Sequence, residues 1–352
     1  MRSLRLEVVG LLLLLAASGA GRGAHAQGEQ AKPAATPATP AAASATTPAA
    51  QSASKSEPVV LEAPGGRLHG TLEVPARGVA PYPVVLIIAG SGPTDRDGNS
   101  TALPGKNNGL KYLAEGLAAE GIASLRYDKR GIAESRAAGK PEAEVRFDDY
   151  VEDAVLWGRR LREDRRFAQL VVAGHSEGSL VGMVAAQRLG ADAFVSVAGA
   201  GRRADALILS QLKPQLPPEM YAQTEAALKS LAEGKTVADT PRELVGLFRP
   251  SVQPYLISWI KYDPAKELAK LSAPVLVAQG THDLQITVED ARLLAAARPG
   301  ARLLLVEGMN HVLKLTPAEA RQQAASYGDP SLPVAPKLLA EFAAFVRGVK
   351  KK

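Results

Sequence analysis

The run Val-Val-Ala-Gly-His-Ser-Glu-Gly-Ser-Leu from Val171 to Leu180 is the tightest constraint on what this chain can fold into. Apolar, β-type residues lead straight into Gly-x-Ser-x-Gly, and a helix-like pattern begins at once. A strand that reverses into a helix around one serine has no room for side chains two positions to either side, and Gly174 and Gly178 meet that demand. The turn lifts the Ser176 hydroxyl above the end of the strand. It also aims the first backbone N–H groups of the new helix at whatever that serine attacks, where negative charge develops. The five-residue pattern alone also describes a Ser/Gly-rich turn; the apolar run before it and the helix pattern after it favour the nucleophile elbow.

The surrounding sequence repeats the strand–helix alternation. Val59 to Leu61 and Leu68 to Val74 read as two short strands around the turn at Gly65-Gly66, an antiparallel start. Val84 to Ile88 is apolar on both faces, as a strand buried between helix layers must be, and it runs into the Gly-rich loop Ala89 to Gly98. Asn108 to Ala119 then reads as a helix, with Leu110, Leu113 and Leu117 on one side and Gly121 as its stop signal. The next strand, Ile122 to Tyr127, leads into Asp128-Lys129-Arg130-Gly131. Those charges suit either substrate orientation or loop fastening, and fastening is the favoured reading. Asp148 to Glu163 is an amphipathic helix with Asp148 or Asp149 expected as its N-cap. Beyond the elbow helix, Ala193 to Val197, Pro274 to Ala278 and Leu303 to Val306 supply further strands, and Lys337 to Val346 closes the chain as a helix. Such alternation implies a mostly parallel sheet with helices on both faces.

The alternation stops between about 202 and 271, where the sequence turns helix-like and Pro-punctuated. Leu209, Tyr221, Phe248, Tyr255 and Trp259 give it more apolar surface than a solvent loop carries. The expectation is a helical cap over 202–271, inserted into a core made of 58–201 and 272–352.

Residues 1–26 have the layout of a cleavable secretory signal: a basic start, the apolar block Leu11 to Leu15, and small residues ending in Ala24-His25-Ala26. Residues 27–57 are rich in Ala, Pro, Thr and Ser, with little to bury, and read as a disordered linker. The apolar block is too short for a comfortable membrane span, so no stable span is expected after cleavage. The formal net charge of +6 is spread out, without a basic face or interleaved aromatics, which argues against a nucleic-acid partner. The absence of cysteine excludes thiol nucleophiles, cysteine zinc sites and disulfides.

A serine hydroxyl is a poor nucleophile until a base takes its proton, and that base needs a carboxylate to fix its tautomer. Among the five histidines, His25 lies in the leader, His69 on an early strand, His175 inside the elbow and His282 beside an acid. His311 alone stands in a loop after the last strand and follows a candidate acid in the chain. Asp283, just after the Pro274 to Ala278 strand, is the favoured acid over Asp205, Glu289 and Asp290. Its competing role is to cap the helix that begins near Val288. His282 is read as a loop residue. The oxyanion donors are expected to be the N–H of Glu177 and one from the loop after Val84 to Ile88, with Ser91 preferred and Gly92 next. Each such donor typically contributes about 3 kcal/mol of transition-state stabilisation.

Gly174-His175-Ser176-Glu177-Gly178, Gly280-Thr281-His282-Asp283 and Met309-Asn310-His311, in that order and spacing, resemble the serine α/β-hydrolase superfamily. The loop Gly90 to Gly98 and the run Arg126 to Gly131 are similar to a bacterial branch of carboxylesterases related to serine aminopeptidases. Many relatives open the first of these loops with His-Gly, where Ala89-Gly90 stands here. The resemblance covers the chain from about Pro58 onward. It implies an α/β-hydrolase fold with a mostly parallel eight-stranded sheet, a helical cap and hydrolysis of acyl esters.

The leading expectation is therefore a periplasmic or secreted serine esterase that takes a small-molecule acyl ester through an acyl-enzyme on Ser176, with no cofactor and no metal. A peptidase of the aminopeptidase type would need cap carboxylates for a free amine, for which Glu219, Glu225 and Glu233 are available. A non-catalytic binding protein on the same fold is the third reading, against which the intact Ser176, Asp283 and His311 set argues.

Overall fold

The computed structural model describes residues 54–240 and 242–350. The expected signal segment and most of the expected linker lie outside the described residues. Eight strands form one sheet in the order β1-β2-β4-β3-β5-β6-β7-β8. They are β1 (Ser54–Ala63), β2 (Gly66–Pro75), β3 (Tyr82–Ile88), β4 (Ala123–Tyr127), β5 (Phe167–His175), β6 (Ala193–Val197), β7 (Val275–Gly280) and β8 (Arg302–Val306). The pairs β1–β2 and β2–β4 are antiparallel, and every other neighbouring pair is parallel. Together with its helices this is the α/β-hydrolase fold.

The first strand begins earlier than the sequence indicates: residues 54–57, expected in the linker, are strand, with Ser54 opposite Pro75 and the Ser56 hydroxyl donating to Glu73 at 2.8 Å. Ser-Lys-Ser-Glu carries no apolar signal because an edge strand with its side chains largely in water needs none.

Period-two alternation within the central strands sends side chains to two apolar layers. Val84, Leu86, Ile88 and Val172 face one layer with α2 (Phe147–Glu163), α3 (Glu177–Leu189) and α9 (Val288–Ala297). Val85, Ile87, Val171 and Ala173 face the other with α1 (Gly109–Ala119) and the C-terminal helix (Pro336–Arg347), which bury Leu110, Leu113, Leu338 and Phe342. Asp149 lies in the first turn of α2 rather than before it. Its carboxylate accepts from the N–H of Arg146, the capping position, at 2.8 Å.

Between β6 and β7 the chain is helical: α4 (Ala204–Leu212), α5 (Pro218–Ala232), α6 (Val245–Phe248), α7 (Gln253–Ile260) and α8 (Pro264–Ala269). Leu228, Leu231, Phe248, Leu256, Trp259 and Ile260 from this stretch belong to the same apolar cluster as Phe147, Val151 and Phe194. The segment is thus continuous with the core on one face of the sheet. Removing it would expose that face, because a core loses both burial and packing contacts when a layer is taken away. No helix among the described residues is long and apolar enough to cross a membrane.

Strand order reverses at β3, which pairs with β4 on one side and β5 on the other, so that the chain leaves β3 toward one edge and returns to its other side. In open parallel sheets that point, beyond the carboxyl ends of the strands, is where ligands gather. The loops that follow β3 and β5 carry Ser91 and Ser176.

Candidate active site

At the elbow, Ser176 has φ 56° and ψ −124°, a conformation that disfavours a side chain and is held by its neighbours. The neighbours allow it because both flanking glycines are at contact. A Cβ on Gly174 would meet the carbonyl oxygen of Gly178 at 2.0 Å, and one on Gly178 would meet the carbonyls of Ile88 and Ala89 at 2.4 and 2.5 Å. Strand, helix and the loop after β3 therefore touch backbone to backbone. The Gly90 loop comes as close: its own Cβ would lie 3.0 Å from Cβ of Ser176.

His311, buried in the loop after β8, directs Nδ1–H to Oδ2 of Asp283 at 2.8 Å. Asp283 is buried too, and is held from several sides. Its Oδ1 accepts the backbone N–H groups of Gln285 and Ile286 at 2.8 and 2.9 Å, and Oδ2 also accepts from Nε2 of Gln279 at 3.1 Å. Four donors hold this carboxylate in place. The helix that Asp283 was weighed as capping, α9, is instead capped by Thr287 in a reciprocal arrangement with Asp290. The competing acids are occupied elsewhere: Asp205 pairs with Arg203, and Asp290 with Arg202 at 2.7 Å.

One cavity is lined by Ser176 and His311 together with Gly90, Ser91, Thr94, Ser100, Asn107, Gln285 and Tyr327. His175, next to the serine, donates from Nε2 to the carbonyl of His311 at 2.8 Å. Burial and the neighbouring His311 ring push its pKa down to about 3, so it is neutral at pH 7. His282 fastens rather than reacts, since its Nδ1 lies 2.6 Å from the carbonyl of Thr316 and its backbone N–H reaches Met309. Acid loop and histidine loop are thereby tied together.

Glu177 opens α3, so its backbone N–H is one of the orphan donors of that helix start. Its side chain lies in a second, small cavity beyond Ser91, with Lys129, Tyr150, Val252 and Tyr255. The Tyr255 hydroxyl donates to Glu177 Oε1, and Lys129 Nζ stands 4.0 Å from Oε2. Burial raises the Glu177 carboxyl, against the pull of Lys129, and burial lowers the Lys129 ammonium. Lys129 was visible in the sequence only as one charge in a polar loop, yet its ammonium donates to the carbonyls of Gly90 and, at 3.0 Å, Gly92. It holds the loop that carries Ser91. The remaining charges of that run are fasteners as well: Arg126 binds Glu73 and Asp97 at 3.1 and 2.8 Å, Asp128 binds Arg96, and Arg130 binds Asp153 through Nε at 2.8 Å.

Residues 107–315 match the family model described as serine aminopeptidase, S33. The chain belongs to that family. The matched stretch includes Ser176, Asp283 and His311, whereas Ser91 and Tyr327 fall outside it. A curated relative, Esterase EstD of Thermotoga maritima, is 30% identical over 260 residues, which are 72% of this chain and 60% of the relative. The chain thus spans less than two thirds of that relative's length. Among solved structures, Est1E from Butyrivibrio proteoclasticus with ferulic acid bound superposes with a TM-score of 0.54 at 16% identity, covering 82% of this chain and 96% of that one. The esterase domain of a Rhodothermus marinus protein superposes with a TM-score of 0.50 at 16% identity, covering 84% and 100%. At those identities the superpositions speak for the fold alone.

Sequence reasoning overlooked Gln285 and Tyr327. Gln285 is two residues after the acid and had a positional signal. Tyr327 had none, because it comes from a stretch between His311 and the last helix with no strand pattern.

Proposed function

We propose that the protein is a serine esterase that hydrolyses small-molecule carboxylic esters through an acyl-enzyme on Ser176. His311 takes the Ser176 proton as the hydroxyl attacks the ester carbonyl, and Asp283 holds the imidazole in the required tautomer and stabilises its charged form. The carbonyl oxygen gains negative charge as the tetrahedral intermediate forms, and the N–H groups of Glu177 and Ser91 receive it. Collapse breaks the bond to the alcohol, to which His311 returns the proton; water then repeats the sequence on the acyl-enzyme and releases the acid.

The family description leaves peptidase and esterase open, and one observation favours the ester. The side chains lining the Ser176 cavity include no carboxylate to bind a substrate ammonium. Glu219, Glu225 and Glu233 are exposed and none lines that cavity. Glu177 is engaged by Tyr255, and the Lys129 ammonium beside it would repel a second cation. The name of the curated relative, Esterase EstD, points the same way. Incubation with p-nitrophenyl acetate and with alanine p-nitroanilide gives rapid release from the ester and little or none from the anilide. Faster release from the anilide would reverse the assignment in favour of a peptidase.

We also propose that the chain is exported, on the strength of the leader-like residues 1–26. Expressed in a Gram-negative host, the mature protein begins near Gln27 by intact mass. A product that retains Met1 in the membrane fraction would contradict export with cleavage.

A further inference from the structure

Building on the esterase reading, we infer that the cavity on the His311 side of Ser176 binds the alcohol portion of the ester, and that this portion carries neighbouring hydroxyl groups, as a sugar or another polyol does. The side is set by the chemistry. His311 must hand its proton to the departing alkoxide, so the alcohol lies where His311 is. That cavity holds His311, Gln285 and Tyr327, while the cavity on the far side of Ser91, with Glu177 and Tyr255, does not include His311.

The lining then describes the ligand. The Tyr327 oxygen accepts from Nε2 of Gln285 at 2.7 Å, which leaves its own proton to be donated. The carbonyl oxygen of the Gln285 side chain accepts nothing from the described residues. The Ser100 hydroxyl accepts from the N–H of Ala102 at 3.2 Å and has its proton to give, and the Ser91 hydroxyl is engaged by no described residue. Two free protons, a free amide oxygen and a free hydroxyl line the cavity that holds the reacting serine, beside Leu103 and Val312 and without a charged side chain among them. An alkyl alcohol would take water from these groups and replace it with nothing, which costs affinity; vicinal hydroxyls, each both donor and acceptor, replace it in kind. A carboxylate or ammonium would find no opposite charge in the lining.

The segment that carries Tyr327 is also held still. Ser326, next to Tyr327, accepts from Nδ2 of Asn310 at 2.7 Å, and Asn310 adjoins His311. Further along the same segment, the carbonyl of Pro330 accepts from the Tyr112 hydroxyl at 2.7 Å, and that of Leu332 accepts from the buried ammonium of Lys314 at 2.5 Å. A side chain fixed in this way reads a hydroxyl with little entropy lost on binding. Gln285 has two parts, since its Nε2 orients the phenol while its amide oxygen faces the ligand.

The test compares esters that share the acetyl group and differ in the alcohol: methyl 6-O-acetylglucoside against cyclohexylmethyl acetate, and glycerol monoacetate against propyl acetate. Each kcat/KM is divided by the hydroxide rate constant of the same ester, to remove intrinsic reactivity. A tenfold or greater preference within the glucoside pair alone supports a sugar ring. The same preference in the glycerol pair supports any vicinal diol. Tyr327→Phe then lowers the preference about fivefold to tenfold, the worth of one neutral hydrogen bond. Gln285→Leu lowers it too, by releasing the phenol. Both variants are compared at equal folded fraction by thermal melt. No preference in either pair, or a preference unchanged in folded Tyr327→Phe, overturns the inference while leaving the esterase reading intact if p-nitrophenyl acetate is cleaved. Failure to cleave any of these esters would remove the esterase reading itself, and this inference with it.

Discussion

Ser176→Ala and His311→Ala each lower kcat for ester hydrolysis by about a millionfold, and the double variant is no slower than either single one, because nucleophile and base act as one unit. Ser176 without a base keeps its proton, and His311 without the hydroxyl has nothing to activate. What remains is the rate that substrate binding and the N–H groups of Glu177 and Ser91 sustain with water as nucleophile, roughly a thousandfold above solution. Neither change should unfold the protein, since alanine fits where each side chain stands and the elbow is shaped by Gly174 and Gly178 rather than by the hydroxyl. The measurement is single-turnover release of p-nitrophenol by each variant, with a fluorophosphonate probe to locate the nucleophile. Probe attached anywhere but Ser176, or additive losses in the double variant, would rule out the assignment.

Asp283→Asn lowers kcat by about ten-thousandfold and leaves KM nearly unchanged. The geometry fixes which way the amide turns. Oδ1 of Asp283 accepts two backbone N–H groups, from Gln285 and Ile286, so the oxygen of asparagine takes that place and its NH2 faces His311. An NH2 can only donate. It would therefore hold Nδ1 of His311 as an acceptor and put the ring proton on Nε2, which then cannot take the Ser176 proton. The same NH2 would face the Nε2 donor of Gln279, which loses this acceptor and keeps the carbonyls of Ile286 and Gly280, so a small loss of thermal stability accompanies the loss of rate. A variant that keeps a tenth or more of wild-type kcat would show that Asp283 does not orient the base.

Local chemistry made much of the fold legible. Strands β3, β5, β6 and β7 are largely buried on both faces, so they had to be mostly apolar runs, and such a run between turn signals is read directly. Residues 54–57 of β1 were missed because an edge strand is held by the ladder to β2, which leaves no mark in their own side chains. The helices between β6 and β7 were expected from composition. Their merging with the core through Leu256, Trp259 and Ile260 could not be, since an apolar side chain does not encode which neighbour buries it.

The site divides along the same line. Ser176 announces itself through backbone demands made within five residues, and the order of acid and histidine after successive strands narrows the partners to Asp283 and His311. The elbow, the alternation of strands and helices and the nomination of Ser176, Asp283 and His311 for the proposed triad were therefore legible in the sequence alone, because each depends on interactions a few residues long or on the repeating period of an element. Only the tertiary structure decided that Lys129 grips the loop of Ser91, that Glu177 lies beneath Tyr255, and that Tyr327 reaches across from another segment to Gln285 beside His311. Those contacts join residues dozens of positions apart, and they are set by how the loops close over the sheet, a global balance of packing and hydrogen bonding that no single stretch of chain contains.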